Sequence, residues 1–463
     1  MRFFFRIFLF ISLVCLPAFP GEPGLPPSWG GGRKDESTAK NFAIAVGDVI
    51  AVDLVFNSIA RIFLQEDYAY TDKSTMMANL KSRWVWDEDG YFMNQFGHPY
   101  QGSLYFKSGR ANGLDFWQSL AVAAVGSFLW EEFGETTTPS VNDIITTPVC
   151  GMLVGESLHR LYVDASEICP ALAWILSPVD AMNEALGRKK ASVSGRTEEI
   201  DVMFHGGGNF SRTKFFAGGE GNPVRKATLG GALRILYGER CAHSTVEPFD
   251  WFEAELDSAF SSHFYRVDFA IDGFLYSRAI YLGGGEATLG LNLLYSGRKS
   301  SDAAYSDAAT GVKFIFFRPE ESSSLRFGAQ LDGIFMGTRS LAYLYEDVDI
   351  GSYRKNPVRS YDFGYGMLLA LDSSAEIGDW LLYSEAEASI LFPYPSSELK
   401  GSECSSHFLA KGRLGIERAL ARNFSLGLSV SSVAKSDSYT AVPDTFQFLN
   451  CARLYGKFAF RRR

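Results

Sequence analysis

The feature that most constrains this 463-residue chain is an alternation of apolar with small or polar side chains through its C-terminal half. In the segment 288–293, the odd positions are all leucine, and the even positions are threonine, glycine and asparagine. The same pattern recurs in the segments 361–367 and 424–431. Successive side chains of a β-strand point to opposite faces. The pattern therefore predicts a series of strands that each have one apolar face.

The length of these segments indicates where the strands lie. We count about twelve, each of about nine to fourteen residues, whereas strands of soluble proteins usually have ~5–6 residues and a tilted membrane-spanning strand needs ~9–11. The sequence thus predicts an antiparallel transmembrane β-barrel of about 12 strands, apolar towards lipid and polar towards the lumen. A soluble β-sandwich or exported soluble barrel has the same alternation with the two faces exchanged, and remains an alternative.

The charged residues of the polar faces are expected to line this lumen. They are Arg326, Asp332, Asp362, Glu385, Glu387, Lys411, Arg413 and Lys457. The chain is 46% hydrophobic, which excludes a wholly disordered protein, and its net charge of −9 argues against nucleic-acid binding, which needs a basic surface. No nucleic-acid partner is therefore expected.

The N-terminus has the pattern of an export signal. Residues 1–18 combine two arginines with a short apolar run, and small residues and prolines follow, as in a secretory signal peptide that is cleaved near Ala18. Residues 19–40 are rich in Gly, Pro and Ser and are predicted to form a flexible linker. Cys15 leaves lipidation open as an alternative. Together with the barrel pattern, the signal predicts export to the bacterial outer membrane.

Between the linker and the barrel, residues 41–190 have helical periodicity. Helices are predicted over 43–64, 114–132 and 142–163, with a shorter one within 170–187. The expected fold class is therefore α+β. A helical unit of residues 41–190 is followed by a β-barrel of residues 197–463.

The helical unit contains three long motifs that resemble a known family. They are NQFGHPYQGSLYF (Asn94–Phe106), GSFLWEEFGE (Gly126–Glu135) and PSVNDIITT (Pro139–Thr147). Over about residues 75–165 the chain is similar to the DUF3943 family of exported bacterial proteins of unknown function. The resemblance implies an envelope location and a barrel-like C-terminal half, but it supplies no activity and no catalytic residue.

The same stretch contains the residue types of acid–base or metal chemistry. The candidate catalytic residues are His98, expected in a loop before Pro99, Glu131, Glu135, and Asp143 at the start of a helix. The candidate polar or ligand-binding residues are Asn94, Arg110, Asn142, Glu156 and Arg160. The competing interpretation is structural, because carboxylates paired with arginines are tolerated in a helical core. No motif of a cofactor or metal site is present, so neither a cofactor nor a metal is expected.

Three functional hypotheses follow. The first is an outer-membrane β-barrel with a helical plug or cap, acting in envelope structure or small-solute passage. The second is an envelope lipid-modifying or hydrolytic enzyme that uses the His, Glu and Asp residues of the helical unit. The third is a scaffold that binds a periplasmic protein. The expected partners are outer-membrane lipid, a small solute or lipid, and a periplasmic protein, and the sequence favours the non-enzymatic first hypothesis.

Overall fold

The computed structural model describes residues 37–188, 190–216, 219–220, 223–239, 243–345, 359–395, 404–440 and 443–462. The predicted signal peptide and nearly all of the predicted linker lie outside the described residues. The chain divides into two compact units. The helical unit comprises residues 37–87 and 93–196, and the barrel unit comprises residues 88–92 and 197–461.

The barrel unit is built from twelve long strands among the described residues. They are β1 (Thr197–Phe215), β2 (Val224–Tyr237), β3 (Phe252–Ser261), β4 (Phe264–Leu282), β5 (Gly285–Ser300), β6 (Ala304–Pro319), β7 (Ser323–Ser340), β8 (Tyr361–Ile377), β9 (Trp380–Pro393), β10 (Cys404–Ala421), β11 (Phe424–Tyr439) and β12 (Thr445–Arg461). A two-residue strand, Gly219–Glu220, also pairs with the end of β1.

The sheet closes on itself. Each strand pairs antiparallel with its neighbours in sequence, and β1 pairs antiparallel with β12 from Glu199↔Arg461 to Phe215↔Thr445. Closure leaves neither β1 nor β12 as an unpaired edge. Tight turns join several strands, and the turn between β4 and β5 uses Gly283 and Gly284 at φ values of 55° and 81°. The predicted α+β fold with an antiparallel barrel of about 12 strands is confirmed.

The apolar and charged side chains occupy the two faces of the barrel in the opposite way to those of a soluble protein. Large apolar side chains within the strands are exposed, including Leu229 (75%), Leu291 (51%) and Leu428 (57%). Charged side chains on the other face are buried, with Asp257 and Asp332 each 1% exposed. A soluble barrel would expose the charges and bury the leucines. The observed arrangement is that of a barrel whose outer surface contacts hydrocarbon.

The helical unit contains seven α-helices among the described residues. They are α1 (Ser37–Ser58), α2 (Lys73–Asn79), α3 (His98–Ala111), α4 (Phe116–Leu129), α5 (Asp143–Ile168), α6 (Pro170–Leu176) and α7 (Pro178–Ala185). Short π-helical turns extend α1 over Ile59–Leu64 and α4 over Trp130–Gly134, and another, Met93–Gly97, precedes α3; a 3-10 turn covers Asp67–Ala69. The helix over Thr38–Leu64 is the one described helix whose length and composition would allow it to cross a membrane.

Helices α3 and α5 approach each other closely through glycines. A Cβ atom added to Gly102 would lie 1.8 Å from the backbone oxygen of Thr147, and one added to Gly151 would lie 2.5 Å from the backbone of Gly102. Neither site can take a side chain unless the helices separate. Glycine costs intrinsic helix stability, and here the close packing of α3 on α5 compensates for that cost.

We expect Gly102→Ala to destabilise the helical unit by at least ~2 kcal/mol, because the added methyl group overpacks the contact between α3 and α5. The matched control is Gly47→Ala in α1, where a Cβ meets nothing within 4 Å. That substitution should be neutral or stabilise by up to ~1 kcal/mol. Thermal unfolding of the full-length protein, followed by helical circular dichroism, measures both. Equal stability of the two variants would contradict the packing argument.

Candidate functional site

Six polar residues of the helical unit meet around the start of α5. We call Asp87, Asn94, His98, Glu131, Asn142 and Asp143 the His98 cluster. His98 Nε2 lies 3.7 Å from Asp143 Oδ1, and the backbone N–H of Ser140 donates to Glu131 Oε2 at 2.6 Å. Five of the six are almost fully buried, and Asp87 is half-buried.

A short backbone pairing brings Asp87 into this cluster. Val85 forms a parallel bridge with Ser140, so the segment that follows Val85 runs beside the start of α5. The backbone N–H of Asp87 donates to Asn142 Oδ1 at 3.0 Å, and Asn94 Nδ2 donates to Asp87 Oδ1 at 2.8 Å. Asn142 occupies the N-cap position of α5 but makes no side-chain cap there, because its amide serves this network.

One expectation about the candidate catalytic residues is wrong. His98 is not in a loop but is the first residue of α3, since a proline such as Pro99 fits the first helical turn, where its missing N–H is not needed. Glu135 lies beyond the end of the helix that contains Glu131. The helix widens into the π-turn Trp130–Gly134, and Glu135 has extended backbone angles (φ −141°, ψ 164°).

The carboxylates of the cluster repel one another. Burial, together with the neighbouring carboxylates of Asp143, Glu135 and Asp87, raises the pKa of Glu131 to about 10, against the lowering effect of the Ser140 N–H. Glu131 is therefore a neutral acid at pH 7 in the absence of a bound cation. A neutral carboxyl beside a histidine–aspartate pair has the residue types of general acid–base chemistry.

Glu131 predicts an unusual pH dependence of stability. The pKa of Glu131 in the folded protein, about 10, exceeds the ordinary value of 4.5. Its contribution to the free energy of unfolding is therefore fully present below about pH 4.5 and declines as the pH rises towards 10. We expect Glu131→Gln to abolish this decline. Near pH 8 the variant should unfold at a higher temperature than wild type. Its free energy of unfolding should exceed that of wild type by up to ~1.4 kcal/mol for each pH unit above about 4.5. Near pH 4 the two proteins should be equally stable.

Circular-dichroism melts at both pH values test this prediction, with Glu66→Gln at an exposed carboxylate as the control. A difference between wild type and Glu131→Gln that is the same at both pH values would show that Glu131 is ionised in the folded state.

The remaining candidates form a separate group of ion pairs. Glu156 Oε2 lies 2.9 Å from Arg110 Nε, and Glu156 Oε1 lies 2.8 Å from Arg160 Nε. Burial alone would raise the pKa of Glu156, but Arg110 and Arg160 hold it below its ordinary value. Arg160 also donates to the Ser194 carbonyl at 2.6 Å. This geometry suits the joining of α3 to α5 better than the binding of a ligand.

Sequence reasoning missed a third buried network in the same unit. His159 Nδ1 lies 2.7 Å from Asp180 Oδ1, and Ser177 Oγ donates to the other oxygen of that carboxylate. Lys107 is fully buried nearby, and burial lowers its pKa to about 8. The only signal in the sequence was Glu-x-x-His at Glu156 and His159, and it did not indicate the partner Asp180, which lies on α7.

In the barrel unit, ion pairs cross the lumen. Arg413 on β10 donates to Glu255 on β3 at 3.2 Å, and Arg326 on β7 contacts Glu253 on β3 at 3.3 Å. Neither pair joins neighbouring strands. A third pair, Arg453 with Asp257, links β12 to β3. Arg326 and Arg413, two of the eight charges predicted to line the lumen, thus contact carboxylates on strands that are not their neighbours.

Residues 83–168 match the model of the family described as "Domain of unknown function (DUF3943)". The DUF3943 resemblance is thus confirmed over that segment. It includes every residue of the His98 cluster and the Arg110–Glu156–Arg160 group. The DUF3943 segment therefore places both polar groups in one sequence unit, although the family description assigns them no role. No curated protein matches this sequence.

Several solved outer-membrane barrels match with little sequence identity. A KdgM porin has 8% identity and a TM-score of 0.22, with 55% of this chain and 99% of the porin covered. The COG4313 outer membrane channel from Pseudomonas putida F1 has 11% identity and a TM-score of 0.29, with 58% and 97% covered. The channel DcaP of Acinetobacter baumannii has 10% identity and a TM-score of 0.23, with 59% and 99% covered. At such scores, the barrel assignment rests on the strand pairing of this chain.

Proposed function

We propose that this chain is an outer-membrane β-barrel protein that passes small solutes through a lumen held closed at rest by ion pairs. The proposal rests on the distribution of side chains in the barrel, which exposes leucines on its outer face and holds paired charges on its inner face. A charged interior is of little use to a soluble core, but it can accommodate water and polar solutes. A barrel of twelve strands also lies between filled eight-stranded barrels and open sixteen-stranded ones.

The three cross-lumen pairs support a gated passage rather than a permanently open pore. The side chains of Glu253 and Glu255 are 22% and 26% exposed, so water reaches both carboxylates. Pairs in such positions are weakened by salt, since screening acts on partly solvated charges. A solute that carries its own charges can compete for the same partners.

Conductance of the purified full-length protein in planar bilayers tests this proposal. We expect small, brief openings whose conductance rises more steeply with salt concentration than the conductivity of the solution. Removal of residues 41–190 tests in the same assay whether the helical unit is a plug or cap, which remains a prediction. No conductance from either protein at any salt concentration would contradict solute passage.

The enzymatic and scaffold hypotheses also remain predictions. The residue types of the His98 cluster permit acid–base chemistry, but the described residues do not identify a substrate. Loss of a lipid-profile change in His98→Ala would favour the enzyme, and co-purification that depends on residues 41–165 would favour the scaffold.

A further inference from the structure

A second cluster of metal-ligating residue types lies at one end of the barrel. Asp362 is at the start of β8, and Cys404 and His407 are at the start of β10. All three are buried, at 0%, 2% and 0% exposure. Each offers one ligand atom within 4.8 Å of the others.

The hydrogen bonds of this cluster are incomplete. His407 Nδ1 lies 2.8 Å from Asp437 Oδ1 on β11, which makes it the donor of that contact. The other ring nitrogen, Nε2, makes no hydrogen bond, and neither oxygen of Asp362 accepts one from any described residue. Because buried polar groups are normally satisfied, these atoms indicate a missing partner.

The geometry around His407 points to a cation as that partner. His407 Nε2 and Asp362 Oδ2 are 3.5 Å apart, close to the ~3.3 Å that separates two ligands about 2.0–2.1 Å from a tetrahedral zinc ion. The contact of Nδ1 with Asp437 is the carboxylate–histidine arrangement that commonly orients a zinc-bound imidazole. Asp437 also forms an ion pair with Lys435 and accepts a hydrogen bond from Thr445 Oγ1 at 3.1 Å. These contacts fix the carboxylate that orients His407.

We propose that Asp362, Cys404 and His407 bind a zinc ion that ties β8 to β10. A thiolate, an imidazole and a carboxylate together suit zinc better than magnesium or calcium, which prefer oxygen ligands alone. The Cys404 thiol now contacts the carbonyl oxygens of Ser438 at 3.2 Å and Ser406 at 3.4 Å, so it carries its proton. Binding transfers that proton to the solvent and leaves the thiolate on the metal.

Two basic residues near the site, Arg339 and Lys435, form ion pairs with carboxylates other than Asp362. Arg339, which is paired in register with Asp362 across β7 and β8, directs its guanidinium to Asp307 at 2.9 Å and to Ser389 at 2.8 Å. Lys435 contacts Asp437 rather than Asp362. Among the described residues, the only ion-pair contact of Asp362 is therefore the one to His407.

Titration of the full-length protein with cobalt(II), the spectroscopic substitute for zinc, tests the proposal. We expect one equivalent to bind with a thiolate-to-cobalt absorption band, and zinc to displace it. Cys404→Ser should abolish the band, and Asp362→Asn and His407→Gln should each weaken binding at least tenfold. The matched controls are Cys451→Ser and Asp332→Asn, at a buried cysteine and a buried aspartate elsewhere in the barrel.

The proposal is overturned if cobalt does not bind, or if the band persists in Cys404→Ser. Heat-modifiable gel migration shows whether each variant has folded. If the variants do not fold, X-ray absorption at the zinc edge of the wild-type protein replaces them. One sulfur with nitrogen and oxygen ligands is then expected, and coordination without sulfur contradicts the proposal.

Discussion

The triple variant Glu253→Gln, Glu255→Gln, Asp257→Asn is expected to raise single-channel conductance severalfold and to make the lumen anion-selective. The three carboxylates lie on β3 and hold Arg326, Arg413 and Arg453 from other walls of the barrel. Without them, Arg453 loses its carboxylate partner, while Arg326 keeps Asp372 and Arg413 keeps Glu385. The net charge of the lumen still rises by three, which leaves an excess positive field in a narrow pore. Cations are then repelled, and anions are concentrated.

Reversal potentials in asymmetric salt measure the selectivity, and single-channel recordings measure the conductance. The control is Glu320→Gln, which removes an exposed pair with Arg318 near the end of β6 and should change neither. Some loss of stability is expected as well, because removing one partner of a buried pair costs up to ~3–5 kcal/mol. Asp257 is almost fully buried, whereas Glu253 and Glu255 are only partly buried, so most of this loss should come from Asp257→Asn. Unchanged conductance in a folded variant would show that the ion pairs do not close the lumen.

Arginine substitutions on the outer face are expected to destabilise the barrel more, the closer the position lies to the middle of the membrane. Leu291 is 51% exposed at the middle of β5, and Leu282 is 45% exposed at the end of β4. Leu291→Arg should destabilise the barrel by ~2–4 kcal/mol, and Leu282→Arg by only ~0–1 kcal/mol, because a charge at mid-membrane loses its hydration and one at the interface keeps it. In a soluble barrel, both exposed positions would tolerate arginine within about 0.5 kcal/mol.

Denaturant unfolding of both variants in lipid vesicles measures this difference. A small and equal cost at the two positions would contradict a lipid-facing surface. A large and equal cost would indicate packing against protein instead.

The barrel could be predicted from the sequence because the alternation that indicates each strand lies within a few consecutive residues. Leu289 and Leu291 flank Gly290, and this two-residue period is visible without knowledge of any partner strand. The partners of the lumen charges were not predictable. Arg413 and Glu255 are 158 residues apart, and only closure of the sheet brings them together. The zinc ligands Asp362 and His407 lie on different strands for the same reason, which explains why the sequence predicted no metal.

In the helical unit, local sequence rules are less reliable than in the barrel. Pro99 favours a loop at His98 when proline is treated only as a helix breaker, but proline is accepted in a first helical turn, and His98 begins α3. The π-turn Trp130–Gly134 carries the helix two residues beyond its predicted end at residue 132, and no spacing rule predicts such a turn. Asp87 was missed because its place in the cluster depends on the bridge between Val85 and Ser140, which are 55 residues apart in sequence.

The most direct test of the central claim is heat-modifiable gel migration of the protein from isolated outer membranes, both full-length and without residues 41–190. An intact membrane barrel resists detergent without heating and migrates differently once it is boiled. The proposal predicts a heat-dependent shift in the membrane fraction for both proteins, which would show that residues 197–463 form a barrel without the helical unit. A soluble product with no shift would contradict the outer-membrane barrel, and the His98 cluster would become the leading site.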